Sequence, residues 1–166
     1  FIFKTNYKKG TDKEWYENGQ IRMEIYYQDG QAYGKWIGWH ENGQLAREGY
    51  YEYSFPSGRF TAWHENGQIR AKGNYQYCDG FYNCQTETDH GFNDASKFNI
   101  WLFGSASRYY IEQHRGVGEW TYWYANGQKK SEGYYKDNRR DGAFTAWYAN
   151  GQKASQESYE NGSLIG

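Results

Sequence analysis

Tryptophan recurs at a nearly constant step along this chain, and that period constrains the fold more than any other feature. The repeated residues are Trp15, Trp39, Trp63, Trp101, Trp123 and Trp147, at steps of 24, 24, 38, 22 and 24 residues. A fixed period of this length is the signature of a repeat architecture, in which each unit contacts mainly its sequence neighbours. The sequence therefore predicts one array over residues 1–166, with six units and an insertion at about residues 77–97.

An Asn-Gly pair follows the tryptophan in five of the six units. The pairs are Asn18-Gly19, Asn42-Gly43, Asn66-Gly67, Asn126-Gly127 and Asn150-Gly151. Asn-Gly between alternating apolar runs is typical of a two-residue type I′ hairpin turn, which needs positive φ at both central residues. In the second unit this turn predicts four cross-strand pairs: Glu41 with Gln44, His40 with Leu45, Trp39 with Ala46, and Trp36 with Gly49.

An aromatic residue lies three positions before the tryptophan in five units, at Trp36, Phe60, Phe98, Trp120 and Phe144. Glycine lies ten positions after the tryptophan in three units, at Gly49, Gly73 and Gly133. The predicted register sets these positions opposite each other, so a ring should cover the bare glycine backbone within each hairpin. Because the chain is 22% aromatic, with only three leucines and one valine, these rings and the repeated tryptophans form the predicted core.

The fold class follows from the turns and the composition. Twenty-one glycines and abundant aromatics disfavour a helical bundle and suit pleated strands. A further glycine five residues before most of the tryptophans marks a return turn between hairpins, so all strands should run antiparallel. The prediction is an all-β, elongated antiparallel meander of about six 24-residue hairpins, open instead of closed into a barrel.

Two stretches, YQDGQAYGKWIGWHENGQ and YKDNRRDGAFTAWYANGQ, carry the repeat most fully. They resemble the MORN-repeat variant found in many bacterial proteins, and the resemblance covers nearly all of the chain except about residues 77–97. It implies a hairpin framework without catalytic residues. Related chains are often labelled antitoxins of toxin–antitoxin pairs, and MORN arrays elsewhere are linked to lipid association, scaffolding and protein contact.

His40 and His64 are each followed by glutamate, as in an acid–base pair. Neighbours along a strand point to opposite faces, so each histidine and its glutamate should diverge. The equivalent residues in other units are Tyr16, Tyr124 and Tyr148, which cannot replace imidazole chemistry. The chain is therefore predicted not to be an enzyme. A transition metal held by both histidines would lack a recurring third ligand, and no cofactor is predicted.

The insertion is the one stretch that the repeat does not explain. Cys78 and Cys84 lie six residues apart, and we expect a disulfide that closes a small loop, with two free buried thiols as the alternative. A disulfide would indicate an oxidising compartment. The weak calcium candidates are Asp79, Glu87, Asp89 and Asp94, whose spacing does not match an EF-hand, so a polar loop is the alternative. Long loops often carry function, which makes the insertion a candidate for partner recognition.

Charge and hydropathy exclude two classes of partner. The net charge is −1 and the isoelectric point is near 6.5, so no field attracts nucleic acid. No apolar run approaches the ~20 residues that span a membrane. The aromatic row at regular intervals has two interpretations: the core of the sheet, or a platform for sugars or bases. The core interpretation is favoured.

The ends of an open sheet offer unpaired strands, which can recruit another copy head to tail. We expect self-assembly into a fibre, in which Phe1, Ile2 and Phe3 pair near Tyr159, Leu164 and Ile165 of a neighbouring copy. The partner is then the chain itself, or another protein. This structural role would place the chain outside the cell or on its surface. The alternative is a cytoplasmic antitoxin or immunity protein that binds a toxin.

Overall fold

The computed structural model describes residues 8–76 and 115–166, which form eleven β-strands. The strands are β1 (Gly10–Trp15), β2 (Ile21–Gln28), β3 (Gln31–Trp39), β4 (Leu45–Glu52), β5 (Phe55–Trp63), β6 (Ile69–Gln76), β7 (Arg115–Trp123), β8 (Lys129–Lys136), β9 (Arg139–Trp147), β10 (Lys153–Glu160) and β11 (Ser163–Leu164). The described part of the chain contains no helix. The predicted all-β class is confirmed.

All eleven strands belong to one open sheet, and their order in space is their order in sequence. Every strand pairs antiparallel with its chain neighbours, so the sheet is an uninterrupted meander. β1 and β11 form its two edges. The predicted antiparallel hairpin meander is therefore confirmed.

β6 and β7 pair directly, although 38 residues of sequence, 77–114, separate them. Lys72 lies opposite Thr121 in this pair, just as Glu48 lies opposite Thr61 between β4 and β5. The described sheet thus contains five hairpins with a constant register between them. The sixth predicted hairpin, around Phe98 and Trp101, lies outside the described residues, and no strand separates β6 from β7.

The hairpin turns differ from the predicted two-residue type I′ form. Gly43 has a φ of +82°, whereas Asn42 keeps a negative φ. The Gly43 amide donates to the His40 carbonyl at 2.9 Å, and the His40 amide donates to the Gln44 carbonyl at 2.8 Å. This geometry is a three-residue loop, in which a type I turn is followed by a left-handed glycine. Asn-Gly satisfies this turn as well, because only its second residue then needs positive φ.

The longer loop changes the pairing close to the turn. Trp39 pairs with Leu45, and the register shifts between Gly38 and Trp39, which leaves Ala46 as the extra residue of a β-bulge. Three predicted pairs are therefore wrong: Glu41 with Gln44, His40 with Leu45, and Trp39 with Ala46. The bulge offsets the extra loop residue, and so Trp36 lies opposite Gly49 as predicted.

The core is a row of rings on one face of the sheet. Its repeated members are Trp36, Phe60, Trp120 and Phe144, which expose 2%, 7%, 2% and 9% of their surface, and Tyr51 and Tyr135 are buried in the same core. Consecutive rings lie two strands apart, about 9.6 Å at the usual strand spacing. Their centroids are nevertheless only 6.4 Å apart for Trp36 and Phe60, and 5.9 Å apart for Phe60 and Trp120. The rings meet because the strand between them carries glycine and leaves room for them to lean together.

The ring that covers each glycine is not always the predicted one. A Cβ at Gly73 would lie 2.0 Å from Cδ2 of Trp120, and one at Gly133 would lie 2.3 Å from Cε1 of Phe144, so both rings come from the following hairpin. Gly49 follows the prediction, because its nearest neighbour is Trp36 of its own hairpin, at 2.9 Å. Each glycine strand lies between two rings, and the period alone does not say which ring covers it.

The repeated tryptophans lie outside the most buried part of the core. Trp15 is 58% exposed, which contradicts its predicted core position, because β1 is an edge strand and has a neighbour on one side only. The others in the described part are half-buried: Trp39, Trp63, Trp123 and Trp147. The ring three residues earlier is therefore a main core residue in the four described hairpins that follow the first, whereas the first hairpin has Asp12 at that position.

Candidate interaction site

The residue after each repeated tryptophan joins one hairpin to the next. The hydroxyl of Tyr16 donates to the Trp39 carbonyl at 2.7 Å, Nε2 of His40 lies 3.0 Å from the Trp63 carbonyl, Nε2 of His64 lies 3.0 Å from the Trp123 carbonyl, and the hydroxyl of Tyr124 donates to the Trp147 carbonyl at 2.9 Å. A carbonyl only accepts, so Nε2 carries the hydrogen in both histidines. Histidine and tyrosine thus perform the same structural task.

The asparagine of each turn makes a second connection of the same kind. Its amide donates to a carbonyl of the next turn: Asn18 to Glu41 at 3.1 Å, Asn42 to Glu65 at 2.8 Å, Asn66 to Ala125 at 2.7 Å, and Asn126 to Ala149 at 2.8 Å. The side-chain oxygen of the same asparagine accepts from the backbone amide two residues later in its own turn. One side chain therefore shapes its own turn and holds the next.

The glutamine that follows Asn-Gly lies against the glycine of the next turn. A Cβ built on Gly43, Gly67, Gly127 or Gly151 would lie 2.9, 3.1, 3.0 or 2.5 Å from the side-chain oxygen of Gln20, Gln44, Gln68 or Gln128. The turn glycine is thus needed for its positive φ and for this close approach. We call the contacts made by these Tyr/His, Asn and Gln positions the interlock.

The interlock is incomplete at the two ends of the sheet. Tyr148, the last donor of the first kind, is 58% exposed, and the amide of Asn150 turns back to the side chain of Gln152 at 3.2 Å. At the other end, the carbonyls of Trp15 and Glu17 accept no interlock contact from the residues that the structure describes. Donors without an interlock acceptor therefore lie at one end of the described sheet, and acceptors without an interlock donor lie at the other.

A groove of about 620 Å³ lies beside the interlock of the first three hairpins. Among the described residues, its charged lining consists of three arginines, Arg22, Arg47 and Arg70, and one carboxylate, Glu65. His40 and His64 also line it. We call this feature the turn-end groove, and its lining carries an excess of positive charge.

A small residue opposite a large one positions the middle arginine of the groove. Gly38 lies opposite Arg47, and a Cβ on this glycine would lie 3.0 Å from both Cγ and Nε of the arginine. The arginine stem therefore lies across the bare glycine, with its guanidinium carbon 6.0 Å from the centre of the Trp36 ring. In the fourth described hairpin Tyr122 takes the position of Gly38, and this hairpin contributes Ala125 of its turn to the lining.

The three arginines influence one another electrostatically. Burial lowers the pKa of Arg47, Tyr51 and Tyr16 oppose that change, and the charges of Arg22 and Arg70 lower the pKa further. Arg22 is also held by Glu14, with Nη2 3.2 Å from the carboxylate. The pKa of Tyr51 is raised well above its usual value, mainly by burial. The three guanidinium groups therefore repel one another, and an anion bound in the groove would offset that repulsion.

Several predicted site residues lie outside the described part of the chain. They are Cys78 and Cys84, the calcium candidates Asp79, Glu87, Asp89 and Asp94, and the end residues Phe1, Ile2 and Phe3. Among the other end residues, Tyr159 packs edge-on against Phe144, with ring centres 5.4 Å apart, whereas Leu164 and Ile165 are more than 60% exposed. Within residues 8–76 and 115–166, no three His, Cys, Asp or Glu side chains gather as a metal site would require.

The interlock recurs with the same period as the segments of the chain that match a known repeat family. The MORN repeat variant matches residues 8–29, 32–53, 56–77, 117–137 and 140–161, which together cover more than half of the chain. The chain belongs to the MORN repeat variant family. MORN repeats indicate a repeat-type module for protein interaction. None of the curated proteins compared with this MORN chain matches it, and none of its described elements is a helix long and apolar enough to cross a membrane.

Sequence reasoning missed both the interlock and the turn-end groove. The sequence does hold a signal for the interlock, because His and Tyr alternate at the position after the repeated tryptophan. Both are long side chains that end in a hydrogen-bond donor. A signal for the groove exists in Arg22 and Arg70, which occupy the same place in two repeats. Arg47 lies one position later, so the period conceals its membership.

Proposed function

We propose that the protein is a non-catalytic interaction scaffold whose copies join head to tail, with β10 of one copy beside β1 of the next. The incomplete interlock is the observation that carries this proposal. Tyr148 and Asn150 supply the donors used at each inner boundary, and the carbonyls of Trp15 and Glu17 are the matching acceptors. A head-to-tail contact between two different surfaces builds a filament unless the rotation between copies closes it into a ring.

The backbone supports the same contact. At the inner boundaries the ninth residue after one tryptophan pairs with the second residue before the next, as Glu132 pairs with Thr145. This register would set Gln156 beside Lys13 of the next copy. β11 pairs with Tyr159 and Glu160 only, which leaves residues 153–157 of β10 without a partner strand on their outer side within the described sheet. An unpaired edge of this kind is a template for strand addition.

Two carboxylates limit the strength of this contact. Glu157 occupies the position where inner hairpins have glycine, and Asp12 occupies the position where they have a ring. The proposed register sets these carboxylates opposite each other, and like charges across a strand pair are unfavourable. Glu157 accepts a hydrogen bond from Tyr159 at 2.6 Å and lies 3.8 Å from Arg140, while Asp12 pairs with Lys8. We therefore expect weak, concentration-dependent association.

Restoring the inner-hairpin residues at both ends tests the proposal. The variant with Asp12→Phe and Glu157→Gly replaces the opposed carboxylates with a ring over a glycine. Sedimentation velocity should show this variant forming large species at concentrations at which the parent is mostly monomeric. Adding Tyr148→Phe and Asn150→Ala should reverse the gain, because those changes remove the interlock donors. Tyr50→Phe, which removes an exposed hydroxyl away from the edges, should not reverse it.

Two outcomes would contradict head-to-tail joining. The first is a strict monomer for the parent and the double variant at every concentration. The second is assembly of the double variant that persists after Tyr148→Phe and Asn150→Ala are added. That result would show that the copies join without the interlock.

The compartment is part of the same proposal. We place the scaffold outside the cell or on its surface, and the predicted bridge between Cys78 and Cys84 supports this location. The alternative is a cytoplasmic antitoxin that binds a toxin, and reduced thiols would support it. Mass spectrometry of the native protein after alkylation distinguishes them, because a bridged pair resists alkylation and free thiols do not.

A further inference from the structure

The turn-end groove has the charge, length and position of a binding site. We propose that it holds an extended acidic segment of a protein partner, with one carboxylate for each of Arg22, Arg47 and Arg70. This binding goes beyond the head-to-tail contact and does not depend on it, because Arg22, Arg47 and Arg70 lie on β2, β4 and β6, whereas that contact joins β10 to β1.

The charge of the groove selects an anion. In the part of the chain that the structure describes, three guanidinium groups line the groove with one carboxylate, Glu65, and Glu14 at 3.2 Å orients Arg22. Arg22 and Arg70 are close enough to Arg47 to lower its pKa, so the three positive charges repel one another. Carboxylates placed among them would offset this repulsion, and guanidinium groups bind carboxylates through two parallel hydrogen bonds.

The spacing of the arginines selects an extended chain over a small anion. Each arginine comes from a different hairpin, on β2, β4 and β6. Alternate strands of a sheet lie about 9.6 Å apart, so no single small anion contacts all three. An extended peptide in the polyproline II conformation advances about 3.1 Å per residue with three residues per turn, so side chains three residues apart lie on one face and about 9.3 Å apart. The partner should carry an acidic residue at every third position.

The site is confined to one half of the sheet. The last two hairpins place Lys130 and Ala154 where the first and third have Arg22 and Arg70, and they place Ser131 and Ser155 where the second has Arg47. The smaller cavity on that half, about 270 Å³, includes Glu132 and Glu157 in its lining with Arg140 as its cation. The acidic segment should therefore bind only to the first three hairpins.

A pair of fluorescent peptides tests this inference. One carries aspartate at every third position, and the other has the same composition with its aspartates adjacent. At protein concentrations at which the chain sediments as a monomer, anisotropy should show the spaced peptide binding about tenfold more tightly, because only it reaches all three arginines. Raising the salt concentration should weaken its binding.

Matched variants assign the binding to the groove. Arg22→Gln and Arg70→Gln should each weaken binding of the spaced peptide by about threefold to tenfold. Arg59→Gln makes the same charge change at an exposed residue outside the groove lining and should leave the affinity unchanged. Circular dichroism establishes that each variant is folded before it is compared.

Three results would overturn the inference. They are equal affinity for the two peptides, an equal loss of affinity from Arg59→Gln, and preferential binding to vesicles of phosphatidylcholine with phosphatidylserine over both peptides. The first two point to diffuse charge attraction, and the third points to a membrane surface. Head-to-tail association is measured separately by sedimentation, so either proposal can fail while the other stands.

Discussion

At the scale of single residues, glycine shapes the core by the side chain that it lacks. Trp36 and Phe60, and Phe60 and Trp120, approach each other across an intervening strand because Gly49 and Gly73 leave it bare. A protein interior is packed closely enough that an added methyl group must displace a neighbour. The aromatic row therefore depends as strongly on its glycines as on its rings.

Alanine at Gly73 tests this dependence. The new Cβ would lie 2.0 Å from Cδ2 of Trp120, so Gly73→Ala should lower the free energy of unfolding by about 1–3 kcal/mol. Gly49→Ala should cost less, because its Cβ would lie 2.9 Å from Nε1 of Trp36. Urea unfolding measures both, with Lys72→Ala on the same strand as the exposed control. Equal losses for all three would contradict a packing role for the glycines.

The residue pattern predicted the row of aromatic core rings but not all of the glycines that each ring covers. The opposition of Trp36 and Gly49 followed from the spacing alone, because the bulge restores the register there. The covering of Gly73 by Trp120 did not follow, because those residues come from different hairpins and lie on either side of residues 77–114. The exposure of Trp15 depends on its place at a sheet edge, which a repeat motif does not encode.

At the scale of elements, the unit of construction is a hairpin with a three-residue loop and a bulge. Asn-Gly suits two kinds of hairpin turn, and the sequence alone does not separate them. The structure selects the longer loop, which brings asparagine within reach of the next turn: Asn42 donates to the Glu65 carbonyl at 2.8 Å. The strands were thus predicted from the sequence, whereas the turn geometry that allows the interlock was not.

The direct pairing of β6 with β7 predicts that residues 77–114 are dispensable for the sheet. Gln76 lies opposite Arg115 as Gln28 lies opposite Gln31, where Asp29 and Gly30 form the whole link. Replacing residues 77–114 with Asp-Gly should preserve the β-sheet spectrum.

Circular dichroism and urea unfolding check the outcome of this replacement. A mixed-sequence segment of the original length is the control, and it should also preserve the β-sheet spectrum. An unfolded product from the Asp-Gly replacement would show that residues 77–114 contribute essential contacts to the sheet.

At the scale of the whole molecule, the interlock turns five hairpins into one continuous sheet. Each boundary repeats the same contacts, including the one between the third hairpin and the next, where His64 reaches the Trp123 carbonyl across 59 residues of sequence. The hexapeptide WHENGQ, which occupies residues 39–44 and 63–68, thus connects one hairpin to the next. The proposed head-to-tail contact extends this connection beyond one copy, and the turn-end groove adds a second surface beside it.

The candidate interaction surfaces were less predictable than the fold, for a physical reason. Periodicity identifies residues that share a place in each unit, so it detects strands, turns and rings. The groove depends on deviations from the repeat, namely Gly38 beneath Arg47 and Tyr122 in the same place further along. The unused donor of Tyr148 likewise follows from its place in the last hairpin, since its sequence context resembles that of Tyr124.

The most direct test of the account compares two substitutions of His64. Because Tyr124 makes the same contact in another hairpin, His64→Tyr should keep the free energy of unfolding within about 0.5 kcal/mol of the parent. His64→Ala removes the donor and should lower it by about 0.5–1.5 kcal/mol or more, since the Trp123 carbonyl loses its partner. Urea unfolding of the three proteins decides the matter: tyrosine near the parent with alanine clearly lower is the predicted result. Equal losses for both substitutions, or no loss for either, would contradict the claim that this hexapeptide holds the repeats together.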